Sequence, residues 1–190
     1  IWSEVAQLGR PVNSMDALFF PSPSSNTHTE QTLCLVSCAH PDGHATMLLL
    51  SLCASDRQAT WKLAERHCWR AHTYRCTATY IVSLDELDKD SSSITESVGS
   101  YPSILTTSIK GECRMWGLKR IDHEGSEYHL GLELSCRTGG HRAEMVTAVG
   151  LFSSYCKHHR SQRYLMLGDK RGGVSLYAVP PLSDEEGDEV

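Results

Sequence analysis

The stretch Tyr164-Leu-Met-Leu-Gly-Asp-Lys-Arg-Gly-Gly-Val-Ser-Leu-Tyr177 joins two short apolar runs through a polar turn that is rich in glycine. The earlier stretch Ser103-Ile-Leu-Thr-Thr-Ser-Ile-Lys-Gly-Glu-Cys-Arg-Met-Trp116 has the same layout and also ends in an aromatic residue. When the two aromatic residues are aligned, Lys110-Gly111 matches Arg171-Gly172. Two such runs around a turn are typical of paired antiparallel strands. The repetition therefore predicts a chain built from similar β-meanders.

Four aromatic residues recur at nearly even intervals of 59, 55 and 61 positions: Trp2, Trp61, Trp116 and Tyr177. We interpret the last three as the ends of three successive repeats. The spacing predicts an all-β fold of about three four-stranded meanders, arranged as part of a circular or stacked array. A repeat array of this kind usually serves as a surface for partners.

Alternating apolar positions predict the strands of each meander. The last meander is predicted to use Tyr128–Leu134, Met145–Phe152, Tyr164–Leu167 and Val174–Val179. The middle meander is predicted to use His67–Arg70, Cys76–Val82, Ile104–Ser108 and Glu112–Leu118. In the first meander, Leu33–Cys38 and Met47–Ala54 are alternative candidates for the strand before a turn, and the repeat register favours a strand at Ala59–Leu63.

Three polar segments interrupt these meanders and are predicted to be solvated loops: Pro21–Glu30, Glu86–Ser100 and Ser153–Gln162. The first two are rich in Ser, Pro, Asp and Thr, as surface loops are. Residues 1–182 are therefore assigned to the repeats, and residues 183–190 to an acidic linker or tail. Pro180-Pro181 ends the last strand just before this tail.

The net charge of −5 is concentrated at one end of the chain. Residues 183–190 carry five acidic groups and no base, whereas residues 1–182 balance 18 basic against 18 acidic groups. Within that balanced part, residues 110–171 hold 11 basic and 7 acidic groups, so the third repeat is the most cationic. Five basic residues are predicted to form one patch that meets RNA phosphates or a protein partner: Lys157, Arg160, Arg163, Lys170 and Arg171. The alternative is a solvated loop that binds no partner.

The tail offers one candidate modification site. Ser183 precedes Asp184-Glu185-Glu186, a pattern that resembles the target of an acidophilic kinase. Phosphorylation there would add about −1.5 to −2 charge to a segment that is already too acidic to pack. The alternative interpretation is a plain linker.

The eight cysteines stand mostly in apolar, strand-like contexts, which favours free, buried thiols in a reducing compartment. Three groups have residue types that suit zinc: Cys34 to His44, His67 to Cys76 and Cys156 to His159. None contains a clean Cys-x2-Cys pair, so we assign no metal and no cofactor. The sequence also lacks a Gly-x-Ser-x-Gly elbow and a P-loop, and we predict that the chain is not an enzyme. No apolar run approaches the ~18 residues of a membrane helix, so no membrane partner is predicted.

The residues of the later repeats resemble the WD-repeat family. Gly140-His141, then Val146–Phe152, then the strand that ends at Tyr177 follow its order of a Gly-His start, an inner strand and a final aromatic strand. The stretch ending in Trp116 is similar to the family's small-residue strand, turn and Arg-x-Trp strand. The resemblance covers about residues 76–182 well and 1–75 weakly, and it implies blades of a β-propeller within a larger propeller protein. Gly117 stands where the family has Asp, and Tyr177 replaces Trp, which puts the family's structural His, Ser and Asp hydrogen-bond network in doubt.

The stretch Gly168–Val174 is also similar to a segment of multi-propeller WD-repeat proteins that partner tRNA ribose 2′-O-methyltransferases. This resemblance implies a non-catalytic scaffold or adaptor in the cytoplasm, with a tRNA methyltransferase, tRNA and other proteins as partners. The alternative is a protein-only scaffold in trafficking or in substrate selection by a ubiquitin ligase.

Overall fold

The computed structural model describes residues 6–21, 32–55, 58–82, 102–120, 128–138, 144–156 and 159–179. Throughout these ranges the chain is all-β. The strands are β1 Ser14–Pro21, β2 Thr32–Ala39, β3 His44–Ser55, β4 Gln58–Arg70, β5 Cys76–Val82, β6 Ser103–Ser108, β7 Glu112–Arg120, β8 Tyr128–Arg137, β9 Val146–Cys156, β10 His159–Asp169 and β11 Val174–Val179. No helix in the described ranges is long and apolar enough to cross a membrane.

The strands form three antiparallel sheets, each with its strands in chain order. Sheet A contains β1 to β4, sheet B contains β5 to β8, and sheet C contains β9 to β11. Each sheet is therefore one meander, as the repeat pattern predicts. Leu33–Cys38 and Met47–Ala54, the two alternatives for the first repeat, are both strands, and Ala59–Leu63 belongs to β4.

The turns before the third strand of each sheet share one backbone conformation. Gly43, Gly111 and Gly172 all have positive φ, at 85°, 73° and 83°. Each glycine N–H donates to the carbonyl oxygen three residues earlier, on His40, Ser108 and Asp169, at 3.2, 3.0 and 3.1 Å. A positive φ disfavours residues that carry a Cβ, which explains why glycine occupies each turn. These glycines mark equivalent positions in the three sheets.

Two predicted strands were assigned to the wrong meander. His67–Arg70 and Tyr128–Leu134 end sheets A and B, as parts of β4 and β8, and do not begin the following meanders. β8 pairs with β7 from Glu112 opposite Arg137 to Arg120 opposite Tyr128. Apolar alternation identifies a strand but does not say whether it pairs with the preceding or the following strand. Both strands pair with the preceding strand, to which the connecting loop is shorter than the loop to the following strand. Sheet C consequently has three described strands and not four.

The prediction that Trp61, Trp116 and Tyr177 occupy equivalent positions is correct only for Trp116 and Tyr177. Trp116 and Tyr177 are equivalent, each five residues after its turn glycine, but the corresponding residue of sheet A is Leu48. Trp61 lies on β4, opposite Leu52, and Trp2 lies outside the described residues. The spacing of Trp61 therefore does not reflect an equivalent position.

One predicted loop is largely strand where it is described, and one strand was not predicted. Residues 153–156 continue β9 and residues 159–162 continue β10, with Ser153 opposite Arg163 and Cys156 opposite His159. Its serines and basic residues hide the strand from sequence analysis, because a β ladder is made by backbone groups and does not require alternating apolar side chains. β1 was not predicted from the sequence. The predicted loop Pro21–Glu30 is described only at Pro21, which ends β1, and Glu86–Ser100 lies outside the described residues.

Sheet B is packed between the other two sheets. Ile104 and Leu118 belong to one core cluster with Leu35 and other residues of sheet A, whereas Leu105, on the opposite face, belongs to a second cluster with Leu165 and other residues of sheet C. Neighbouring residues on a strand point to opposite faces, so a strand between two sheets is buried at every position. β6 shows this pattern along its whole length.

Side chains of β1 cover the first edge of sheet B. The N–H of Ile81 on β5 donates to the Asp16 carboxylate at 2.7 Å, and that of Thr79 donates to the Ser14 hydroxyl at 3.3 Å. Thr79 and Ser37 are also joined through their hydroxyl groups at 2.6 Å. An edge strand otherwise presents unpaired N–H groups to any passing strand. The first strands of sheets A and B are thereby held side by side.

Candidate functional site

The turns that contain Gly43, Gly111 and Gly172 place their exposed residues at one end of the three sheets. The segments between sheets cross this same end. The Ile109 N–H donates to the carbonyl oxygen of Arg75 at 3.0 Å, and the equivalent Lys170 N–H donates to that of Met145 at 3.0 Å. We call this end the turn end. It brings together residues that are far apart in the sequence.

A buried histidine fixes the first of these crossing segments. His72 is fully buried, and its Nε2 lies 3.0 Å from the hydroxyl oxygen of Thr106, which also accepts a hydrogen bond from the Trp116 indole at 3.0 Å. Its Nδ1 lies 3.3 Å from the Glu112 carboxylate. The contacts join the segment to β6 and β7, as does the Arg114 guanidinium, which donates to the Ala71 carbonyl oxygen at 2.7 Å.

The protonation of His72 is set mainly by burial. Removal from water lowers its pKa below the ordinary 6.5, and this outweighs the opposing effect of Glu112, which raises it. His72 is therefore neutral at pH 7. A neutral ring has one N–H and one acceptor nitrogen, so its two contacts hold the segment without a buried charge.

Cations and exposed apolar side chains lie together at the turn end, on the segment that contains His72, on the turn of sheet B and at the end of β8. The group consists of Arg70, Tyr74, Arg75, Lys110 and Arg137, which we call the cationic cluster, and all five side chains are exposed. Tyr74 is 47% exposed, and the Lys110 ammonium lies 5.6 Å from the centre of its ring. Arg137 donates to the Lys110 carbonyl oxygen at 3.3 Å. Ile109, 45% exposed, lies beside Lys110.

The charges of the cationic cluster have only neutral contacts within the described part of the chain. Arg70 donates to the Thr73 carbonyl oxygen at 2.9 Å, and Arg75 donates to the Asn13 side-chain oxygen at 3.3 Å. No described carboxylate lies within 4.0 Å of these cations. Four positive charges in one exposed area attract anions, and most strongly a polymer that carries regularly spaced phosphates.

The turn of sheet C adjoins this cluster. Thr138, the residue after Arg137, donates its hydroxyl to the Glu144 carbonyl oxygen at 2.6 Å, and the Glu144 carboxylate pairs with Arg171 at 2.8 Å. Lys170 is exposed beside Arg171. Two of the residues predicted from the sequence therefore extend the cationic surface of the turn end.

Arg163, another residue predicted for this patch, lies far from the turn of sheet C. Arg163 lies seven positions before Lys170 on β10, opposite Val179, which places it about 23 Å along the strand at ~3.3 Å per residue. Arg160 lies on the same far part of β10, its side chain outside the described set, and Lys157 and Ser183 are outside the described residues. Among the described side chains of the predicted patch, Arg163 is therefore separated from Lys170 and Arg171 by most of the length of β10.

The sequence analysis missed Arg70, Tyr74, Arg75, Lys110 and Arg137. They come from three separate segments and form no local motif. One signal was present, because Lys110 matches Arg171 when the turn glycines are aligned. The aligned turns would have identified a second basic turn at the same end of the array.

The candidate zinc ligands have other roles where they are described. His40 is buried, and its two nitrogens lie 2.8 Å from the Pro11 carbonyl oxygen and 2.8 Å from the Thr46 hydroxyl. Within the described residues no three His, Cys, Asp or Glu side chains come close enough to hold a metal ion. Cys156 belongs to β9, but its side chain and residues 157–158 are outside the described set.

Comparison with known proteins gives no identity from which a role could be transferred. No family model and no curated protein matches this chain. The functional argument therefore depends on the geometry of the turn end.

Proposed function

We propose that this chain is a non-catalytic interaction scaffold made of β-propeller-type blades, and that it binds tRNA through the cationic cluster. The observation that carries the proposal is that the four exposed cations of the cationic cluster, of which Lys110 lies over Tyr74, have no carboxylate partner among the described residues. Surfaces that neutralise several phosphates bind nucleic acids without reading bases. In this proposal the scaffold acts in the cytoplasm and presents tRNA to a ribose 2′-O-methyltransferase.

The WD-repeat assignment is part of the same proposal. It is supported by three consecutive meanders, by equivalent turn glycines and by the buried contacts of His72, Thr106 and Trp116. The hydrogen-bond network that the sequence puts in doubt has a counterpart in sheet B, where Glu112 supplies the carboxylate. Sheets packed one behind the other also fit neighbouring blades.

A protein-only scaffold is the second candidate, and the exposed Tyr74 and Ile109 favour it. Aromatic side chains are enriched in the cores of protein interfaces. The two candidates differ in the partner that depends on charge. RNA affinity should decrease strongly when a cluster cation is reversed, whereas a protein partner anchored on Tyr74 should be lost after a Tyr74→Ala substitution.

The test is equilibrium binding of purified tRNA to the full chain. Lys110→Glu should weaken binding at least tenfold, or about 1.4 kcal/mol, because it removes one phosphate contact and adds a repulsive charge. Lys62→Glu is the matched control, since Lys62 is also exposed and lies eight positions before Arg70 on β4, about 26 Å away. Equal affinities for the two variants would refute tRNA binding at the cationic cluster.

A further inference from the structure

Two thiols face each other across the last hairpin of sheet B. Cys113 on β7 and Cys136 on β8 are directly opposite in the antiparallel register. The Cys136 thiol donates to the Cys113 carbonyl oxygen at 3.7 Å, and both side chains pack in the core between sheets B and C. Opposite residues of such a pair have Cα atoms about 4.5–5.5 Å apart, within the ~4.4–6.8 Å that a disulfide spans.

The two thiols differ in exposure and in acidity. Cys113 is fully buried, whereas Cys136 is partly exposed. A hydrogen bond from the Cys113 thiol stabilises the Cys136 thiolate and lowers the pKa of Cys136. The same hydrogen bond, together with burial, raises the pKa of Cys113. Cys136 is thus the thiol that ionises and meets a reagent first, and Cys113 is the thiol that follows.

We propose that Cys113 and Cys136 are a redox-active thiol pair, which small-molecule disulfides such as oxidised glutathione convert to a cross-strand disulfide. The Cys136 thiolate attacks one sulfur of oxidised glutathione, so that a mixed disulfide forms and one glutathione thiolate leaves. The Cys113 sulfur then attacks Cys136, loses its proton to the departing thiolate, and releases the second glutathione. The two cysteines are oxidised, and one molecule of oxidised glutathione is reduced to two thiols.

The location of the pair gives the bond a structural consequence. Cys113 and Cys136 share a core cluster between sheets B and C with Tyr177 of β11. The Tyr177 hydroxyl donates to the carbonyl oxygen of Arg137, the residue next to Cys136. A disulfide would therefore fix the outer strand of sheet B at the point where sheet C contacts it, close to Arg137 of the cationic cluster.

Other cysteines of the chain provide internal controls. Cys68 is exposed on β4, but the residue opposite it is Thr46. It should react with glutathione and stop at the mixed disulfide. Cys34 and Cys38 are buried, and burial raises the pKa of both thiols. They have no opposite cysteine and should stay reduced in the folded chain.

The experiment treats the folded full chain with oxidised glutathione, traps thiols by alkylation and maps the products by mass spectrometry. We expect a peptide pair linked through Cys113 and Cys136, glutathione retained on Cys68, and reversal by dithiothreitol. The proposal would be overturned if Cys136 kept its glutathione, or if Cys113 and Cys136 both stayed free while Cys68 reacted.

Two variants separate the steps. Cys113→Ala should leave Cys136 as a stable mixed disulfide, so that glutathione release from this site falls to half of the wild-type value. Cys136→Ser should leave Cys113 unmodified because that thiol is fully buried. A Cys113 that reacts equally fast without Cys136 would contradict the assigned order, and the wild-type linkage tests the proposal even if a variant fails to fold.

Discussion

The turn glycines allow a quantitative test of how the sheets are joined. Gly43 and Gly172 have nearly the same φ, at 85° and 83°. A Cβ added at Gly43 would lie 2.5 Å from the carbonyl oxygen of His72 and 2.7 Å from that of Tyr74, whereas nothing lies within 4 Å at Gly172. Both positions carry the strain of a left-handed backbone, but only one also has a steric conflict.

The expected costs follow from these distances. A non-glycine residue with this backbone costs about 1–2 kcal/mol, and this is the full expected cost of Gly172→Ala. Gly43→Ala must also displace the crossing segment, which threatens the hydrogen bonds from Ala71 and His72 to the Gly43 carbonyl oxygen at 3.1 and 2.9 Å. At about 0.5–1.5 kcal/mol for each bond, the total rises to about 2–5 kcal/mol.

Urea denaturation of the full chain measures this difference. The free energy of unfolding should decrease more for Gly43→Ala than for Gly172→Ala, by about 1–3 kcal/mol. Gly43→Ala should also weaken tRNA binding, because the displaced segment carries Tyr74 and Arg75. Equal losses of stability in the two variants would refute the close approach of this segment to the turn of sheet A.

Three further substitutions test the contacts around β5 and β6. Folding lowers the pKa of His72, so the unfolded chain binds a proton on this residue at a higher pH than the folded chain does. Wild-type stability should therefore decrease as the pH falls through about 6.5. In thermal melts recorded as a function of pH, His72→Gln should show a smaller decrease over this range. Thr106→Val leaves the acceptor nitrogen of the His72 ring without its hydroxyl donor and the Trp116 indole without its acceptor. It should cost about 2–4 kcal/mol in urea denaturation, whereas Thr106→Ser should cost less than half as much. Asp16→Ala removes the acceptor of the Ile81 N–H and should lower the free energy of unfolding by about 1–3 kcal/mol. Asp16→Asn keeps an acceptor oxygen, so an equal loss of stability in that variant would contradict this role.

The sequence was sufficient to predict the type of fold because the repeat concerns local features. Apolar alternation gives the strands, and Lys110-Gly111 and Arg171-Gly172 give the turns before the third strands. The boundary between sheets could not be obtained this way. β8 has apolar residues on both faces, Leu130 towards sheet A and Leu134 towards sheet C, so its pattern fits either neighbouring sheet.

The candidate site was harder to predict because it depends on tertiary contacts. Local density of charge favoured Lys157 to Arg163, but a cation in a strand is directed by the register and not by its neighbours in sequence. Arg75, Lys110 and Arg137 meet only because Gly43, Gly111 and His72 direct separate segments to one end of the sheets. Those directing residues are glycines and a buried histidine, which carry no sign of ligand binding themselves.

The most direct test of the central claim is the salt dependence of tRNA binding. We would measure the slope of log affinity against log salt concentration for the wild-type chain and for an Arg75→Ser, Lys110→Ser, Arg137→Ser variant. Each lost phosphate contact should reduce the steepness of the slope by roughly 0.7–0.9, so the triple variant should be shallower by about 2–3. An unchanged slope would contradict the claim that the cationic cluster binds tRNA.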